Sequence, residues 1–167
     1  MSGGEYLCYT DGSCKAGAGA PGGWGYCIRV PGGAPLEGYG KARGTLAKTM
    51  EYQAVAEALA VVPAQVAVVV FSDNQSLVEN MTRNLGLWRA AGFKAVDPLV
   101  AQSVRRIDAA IADKALTVRW QWLRGHNGNE GNERADQLAA QGAREMKAEL
   151  AAEEELERRA GRRKSSR

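Results

Sequence analysis

Four carboxylates lie where the chain changes character. Asp11 sits just past the apolar part of a first strand, and Glu51 falls in the first turn of an apolar-periodic helix. Asp73 follows the apolar run Val66–Phe71, and Asp136 lies near the start of a last helix, beyond a glycine- and asparagine-rich loop. Carboxylates brought close together repel one another and rise in pKa unless a cation sits between them. Hard oxygen donors without cysteine or a second histidine suit Mg²⁺ or Mn²⁺, not zinc. Two such ions, roughly 3.5–4 Å apart, can activate a water and stabilise the leaving oxygen of a phosphodiester. The expected cofactor is therefore Mg²⁺, as two ions, with Mn²⁺ as the alternative. Each acid also has a plainer reading. Asp73 could cap a helix, Glu51 could complement a helix dipole, and Asp136 could be solvated. The sharper reading requires the fold to gather all four.

The elements that would gather them can be read from pattern. Glu5–Thr10, Trp24–Val30 and Leu36–Ala42 read as strands of an antiparallel meander, separated by Gly/Pro-rich turns. Thr49–Val62 reads as a helix that Pro63 ends, and Gln65–Phe71 as a central strand apolar on both faces. A short helix is expected near Gln75–Leu85, then an irregular stretch Gly86–Val96, a helix from Pro98, a strand Ala115–Leu123 and a helix from about Asn132. Trp120 and Trp122 alternate with polar residues on that last strand and read as core. The order β-β-β-α-β-α-α-β-α predicts an α/β (mixed α+β) fold: a five-stranded mixed sheet with helices on both faces. The helix after the meander is long enough for a crossover, so the first and fourth strands can be parallel neighbours. Asp11 and Asp73 would then share the carboxyl edge where open α/β sheets place their sites.

The bulk properties fit one such domain. The chain has 167 residues, 45% hydrophobic and 25% charged, with a net charge of +3. No apolar run is long enough to span a bilayer, and the first residues lack the form of a signal peptide. Three cysteines, Cys8, Cys14 and Cys27, are an odd number without metal-type spacing, which points to a reducing, cytoplasmic setting and to buried rather than reactive thiols. Residues 1–145 are expected to form the catalytic domain. Residues 146–167 are expected to form a charged helical extension that frays into disorder, acidic over Glu149–Glu157 and basic over Arg158–Arg167. That basic run reads either as a solvated tail or as a nucleic-acid contact, which the acidic block could cancel by folding against it.

One series of short motifs resembles the type 1 (bacterial-type) ribonuclease H family. It comprises Tyr9–Thr10–Asp11–Gly12–Ser13 with Cys14, Gly22–Gly23–Trp24–Gly25, Met50–Glu51, Ser72–Asp73–Asn74–Gln75, Gly125–His126 and Asn132–Glu133–Arg134–Ala135–Asp136. The pieces occur in family order over roughly Glu5 to Gly142, and the series is far more specific than any one piece. The resemblance implies the ribonuclease H-like fold. It also implies an endonuclease that cuts the RNA strand of an RNA–DNA hybrid duplex, leaving 5′-phosphate and 3′-hydroxyl ends. Under that likeness Asp11, Glu51, Asp73 and Asp136 hold the metal ions, Asp73 also positions the attacking water, and His126 assists proton movement or product departure. Gly12, Ser13, Cys14, Asn74 and Gln75 match positions that approach the substrate backbone. Trp88, Arg89 and Lys94 lie in the region similar to the family's basic protrusion. The partner is thus the hybrid, with no membrane, and the chain is expected to act as a monomer. Ala47 and Lys48 depart from the family pattern, standing where many relatives carry two asparagines that read the RNA minor groove. Together with a protrusion of modest charge, this predicts weaker hybrid binding with steep salt dependence, unless the tail compensates. A non-catalytic binding module, or another nuclease on the same fold, are the competing readings.

Overall fold

The computed structural model describes residues 3–17, 19–125 and 128–166. Strands β1 (Tyr6–Ser13), β2 (Ala20–Arg29) and β3 (Leu36–Thr45) form an antiparallel meander. Helix α1 (Ala47–Val61) crosses over to β4 (Ala67–Ser72), which lies parallel to β1 with Tyr9 opposite Phe71. Strand β5 (Thr117–Trp122) lies parallel to β4, giving a five-stranded mixed sheet in the order β3-β2-β1-β4-β5. The expected pairing of the first and fourth strands is therefore present.

Two helical layers cover this sheet, each for a reason visible in the residues. On one face Cys8, Ile28, Val68 and Val70 meet Val55 and Leu59 of α1, and α4 (Pro98–Asp113) adds Val104 and Ile107, all of them fully buried. Helix α4 begins cleanly because Asp97 accepts a hydrogen bond from Leu99 N (2.9 Å) and Pro98 occupies the first turn. At its other end, Lys114 donates to the carbonyl oxygens of Leu59, Ala60 and Val62 at 2.9, 2.7 and 2.8 Å, closing the C-terminus of α1. On the opposite face lies α5 (Glu130–Ser165), 36 residues long. It sits directly on the backbone of β2. A β-carbon on Gly23 would fall 2.2 Å from Ala139 O, and one on Gly25 would fall 2.7 Å from Ala135 O.

Several boundaries differ from the sequence reading. Helix α1 starts two residues before Thr49, which places Glu51 in its second turn, not its first. Residues 86–90, expected to be irregular, are helical: α2 (Gln75–Glu79) runs through a π-helical turn, Asn80–Asn84, into α3 (Leu85–Ala90). Leu77, Met81, Leu85 and Trp88 recur at helical spacing toward the core, while Gly86 and the exposed Leu87 obscure that period in the sequence. Trp120 packs partly against the core, but Trp122 is 37% exposed and is not a core residue.

The C-terminal segment does not fray before Ser165, and the boundary expected at residue 145 falls inside a continuous helix. The cause is a ladder of polar contacts between α5 and alternate residues of β3. Glu37 pairs with Arg134, Tyr39 Oη donates to Glu145 (2.8 Å), Lys41 pairs with Glu149, and Arg43 Nη1 donates to Glu153 (2.8 Å). Four residues of helix rise about 6 Å and two residues of strand about 6.6 Å, so the last three rungs stay nearly in step. Two of the five acids in the acidic block, Glu149 and Glu153, are thus engaged with β3. Within the basic run, Glu155 holds Arg158 and Arg159.

Candidate active site and metal centre

Strand register places the first two acids. Tyr9 of β1 is paired with Phe71 of β4, so two residues further on Asp11 and Asp73 stand side by side at the carboxyl edge of the sheet. The seam is fixed from both sides, with Thr10 Oγ1 donating to Phe71 O (3.2 Å) and Trp122 Nε1 donating to Asp73 O (3.2 Å). Glu51 arrives from α1 because residue 12 is glycine. A β-carbon on Gly12 would lie 2.4 Å from Glu51 N, so only glycine lets the helix press its backbone onto β1 at that point. The same residue's amide donates to Asp11 Oδ1 at 2.9 Å and sets the rotamer of that carboxylate.

Asp11, Glu51 and Asp73 each offer a carboxylate oxygen, and all three oxygens lie within 4.8 Å of one another. Asp136, in the second turn of α5, is outside this triad but shares a hydrogen bond with Asp11. The concentration of negative charge shows in the titration of the cluster. Burial, then the Asp73 charge and the hydrogen bond with Asp136, push the Asp11 carboxyl up to about 8. Burial and then the charges of Asp11 and Asp73 push Glu51 well above the ordinary carboxylate range. Glu51 Oε2 is fully enclosed and has no hydrogen-bond partner among the described residues. An enclosed, unpartnered oxygen beside two further carboxylates is a set of hard donors suited to a divalent ion.

The other expected site residues are placed as follows. His126 lies outside the described residues. The chain just before it passes beside the cluster, since a β-carbon on Gly125 would sit 3.4 Å from Asp73 Oδ2. Asp73 is not a helix cap. That role belongs to Asn74, whose Oδ1 accepts from Leu77 N at 3.1 Å. Gln75 is exposed and its amide reaches Glu79 at 3.4 Å. Ser13 and Cys14 are buried, and the Cys14 thiol lies 3.3–3.6 Å from the carbonyls of Gly17, Ala20 and Thr45. Trp88 packs against the core, and Arg89 Nε donates to Asp108 at 2.7 Å, whereas Lys94 is exposed. Lys48, one of the departures from the family pattern, ties α1 to α4 by pairing with Asp97. Trp122 was missed as a positioning residue. Its signal was an aromatic at the very end of a strand, beside the apolar run that leads to Asp73.

Comparison with known proteins gives a consistent result. The RNase H family model matches residues 4–144. The Ribonuclease H of Chromobacterium violaceum is 42% identical over 137 residues, covering 80% of this chain and 91% of that protein. Among solved structures, LC9-RNase H1, described as a type 1 RNase H with the type 2 active-site motif, superposes with a TM-score of 0.73 at 26% identity, over 87% of this chain and 75% of that one. LC11-RNase H1, solved in complex with RNA/DNA hybrid, shares the fold with a TM-score of 0.62 at 21% identity, over 84% of this chain and 98% of that one. With its parallel β1–β4 seam, its triad of acids and a family match across the whole sheet, this chain belongs to the RNase H family of endoribonucleases.

Proposed function

We propose that the chain hydrolyses the RNA strand of RNA–DNA hybrids endonucleolytically, leaving 5′-phosphate and 3′-hydroxyl ends. Asp11, Glu51, Asp73 and Asp136 would hold two Mg²⁺ ions, with Mn²⁺ as a substitute. The observation that carries this reading is the close triad of carboxylate oxygens with the unpartnered Glu51 Oε2 inside it. When bound, the ions supply charge neutralisation and Lewis-acid assistance to the attacking water and the leaving oxygen. The protein's own part is orientation. Gly12 N–H fixes Asp11, the bond from Trp122 fixes the backbone at Asp73, and the glycine contact seats Glu51. His126 is assigned to proton movement or product departure, which the approach of Gly125 to Asp73 supports.

For substrate contact the reading uses Gly12, Ser13, Cys14, Asn74 and Gln75 at the sheet edge, with Trp88, Arg89 and Lys94 on the protrusion. Because Arg89 is engaged with Asp108, Lys94 carries the more available charge. The choice of hybrid as substrate draws support from LC11-RNase H1, which was solved with one. Residues 1–145 are assigned the catalytic role. The chain is taken to work in the cytoplasm as a monomer, and its three free cysteines support a reducing compartment. No helix among the described residues is long and apolar enough to cross a membrane.

The test is a substrate panel of RNA–DNA hybrid, double-stranded RNA, single-stranded RNA and duplex DNA, with and without Mg²⁺. Cleavage confined to the RNA of the hybrid and dependent on the metal is expected. Equal cleavage of double-stranded RNA, or full activity in chelator, would refute the proposal.

A further inference from the structure

A pocket of about 350 Å³ opens beside the carboxylates, between the β1–β2 hairpin and α5. Its walls carry Lys15 from the hairpin and Arg144 and Lys147 from the helix, with the Ser13 side and an apolar base of Pro21, Ala140 and Ala143. No acidic residue lines it, and none of the three cations has an ion-pair partner among the described residues. In a cleft of about 560 Å³ near the other end of the sheet, Arg29 and Arg134 are already neutralised by Glu130 and Glu37. The acids of α5 that could have quenched Arg144 and Lys147 point elsewhere, since Glu145, Glu149 and Glu153 are held by β3.

The position of the pocket matters as much as its charge. Ser13 is two residues beyond Asp11 on β1, and Ala140 is one helical turn beyond Asp136 on α5. Farther along this side of the helix stands Glu155, which pairs with Arg158, so the free positive charge next to the carboxylates is that of the pocket. Each strand of a duplex carries a phosphate about every 3.4 Å of axis, so one lying across the carboxylates also presents a phosphate to the pocket.

From this arrangement we propose that Lys15, Arg144 and Lys147 form a binding site for a backbone phosphate of the nucleic-acid duplex, next to the scissile position. The inference rests on the proposed hybrid substrate and deepens it. The site positions the duplex and takes no part in bond breaking.

The experiment compares wild type with the triple variant Lys15→Gln, Arg144→Gln, Lys147→Gln. A control of equal charge loss, Arg29→Gln, Arg106→Gln, Arg119→Gln, lies away from the pocket. Circular dichroism checks the fold of each. Hybrid affinity is measured against salt concentration in chelator, and kcat and KM are measured with Mg²⁺. Each phosphate contact contributes about 0.9 to the slope of log affinity against log salt for a B-form duplex, so the pocket variant, which removes one phosphate site, should lose about 1 from the slope. Its KM should rise roughly tenfold at low salt with kcat unchanged, and the control should change far less. An unchanged slope and KM in the folded pocket variant, or an equal loss in the control, would overturn the site. Binding is read apart from cleavage. A wild type that binds hybrid with the expected slope but does not cut it would sink the proposed reaction and leave the phosphate site standing.

Discussion

At the scale of single residues, the acids define the behaviour of the protein before any substrate is present. Asp11 and Glu51 are held above their ordinary range, so the folded state binds protons that the unfolded chain releases near pH 4. For a carboxyl raised on folding, stability is highest below the unfolded pKa and is lost as pH climbs toward the folded value. In chelator, the melting temperature should therefore fall between about pH 4 and pH 8. Asp11→Asn should flatten that fall, raise the metal-free melting temperature at pH 8 and abolish Mg²⁺-dependent cleavage. Thermal melts across pH, paired with a cleavage assay, check both halves. A variant that keeps full activity would remove Asp11 from the ligand set, and an unaltered pH profile would remove it as the source of the instability.

At the scale of elements, the helices are fixed by a few polar contacts that hydrophobic pattern does not announce. Lys114 satisfies three carbonyls at the end of α1 from the end of α4, and thereby holds the crossover that delivers Glu51. Lys114→Met should destabilise the protein by about 1–3 kcal/mol, as expected for loss of hydrogen bonds from a charged group, which chemical denaturation will show. A change below a few tenths would mean that solvent replaces the lysine without cost. This residue also shows where a reading of sequence stops. The antiparallel meander, the parallel seam and the meeting of Asp11, Glu51 and Asp73 were legible, because β-branched runs, a crossover-length helix and short motifs are local signals. The helical path through residues 86–90 was not, since Gly86 is a poor helix former and the exposed Leu87 obscures the apolar period that Leu85 and Trp88 continue. The surface position of Trp122 was missed because alternation says which side chains share a face, not whether that face is covered at the strand's end.

At the scale of the whole molecule, the long helix α5 joins the neighbourhood of the carboxylates to the edge of the sheet. It supplies Asp136 near its start, buries its small residues against β2, and is then guided along β3 by the ladder from Glu37 to Arg43. The rungs are exposed, and single surface pairs of this kind contribute about 0–1 kcal/mol each and weaken in salt. The part of α5 beyond Ala152, which lacks apolar packing on the sheet, should therefore exchange its amides faster as salt rises from about 0.05 to 0.5 M (about a threefold shorter Debye length). The part from Ala135 to Met146, which carries buried residues, should not. Hydrogen exchange resolved by segment measures this, and uniform protection at both salt levels would show that the ladder is not what orders the end of the helix.

That same ladder bears on how the protein behaves in a crowd. Leu36–Thr45 forms one border of the sheet, and a bare border of this kind invites a strand from another molecule to add itself and begin aggregation. Here Glu37, Lys41 and Arg43 put charged side chains along the border and keep each one tethered to the helix beside it. A visiting strand would have to settle against that row of anchored charges, so contacts that order the chain's own terminus also discourage self-association.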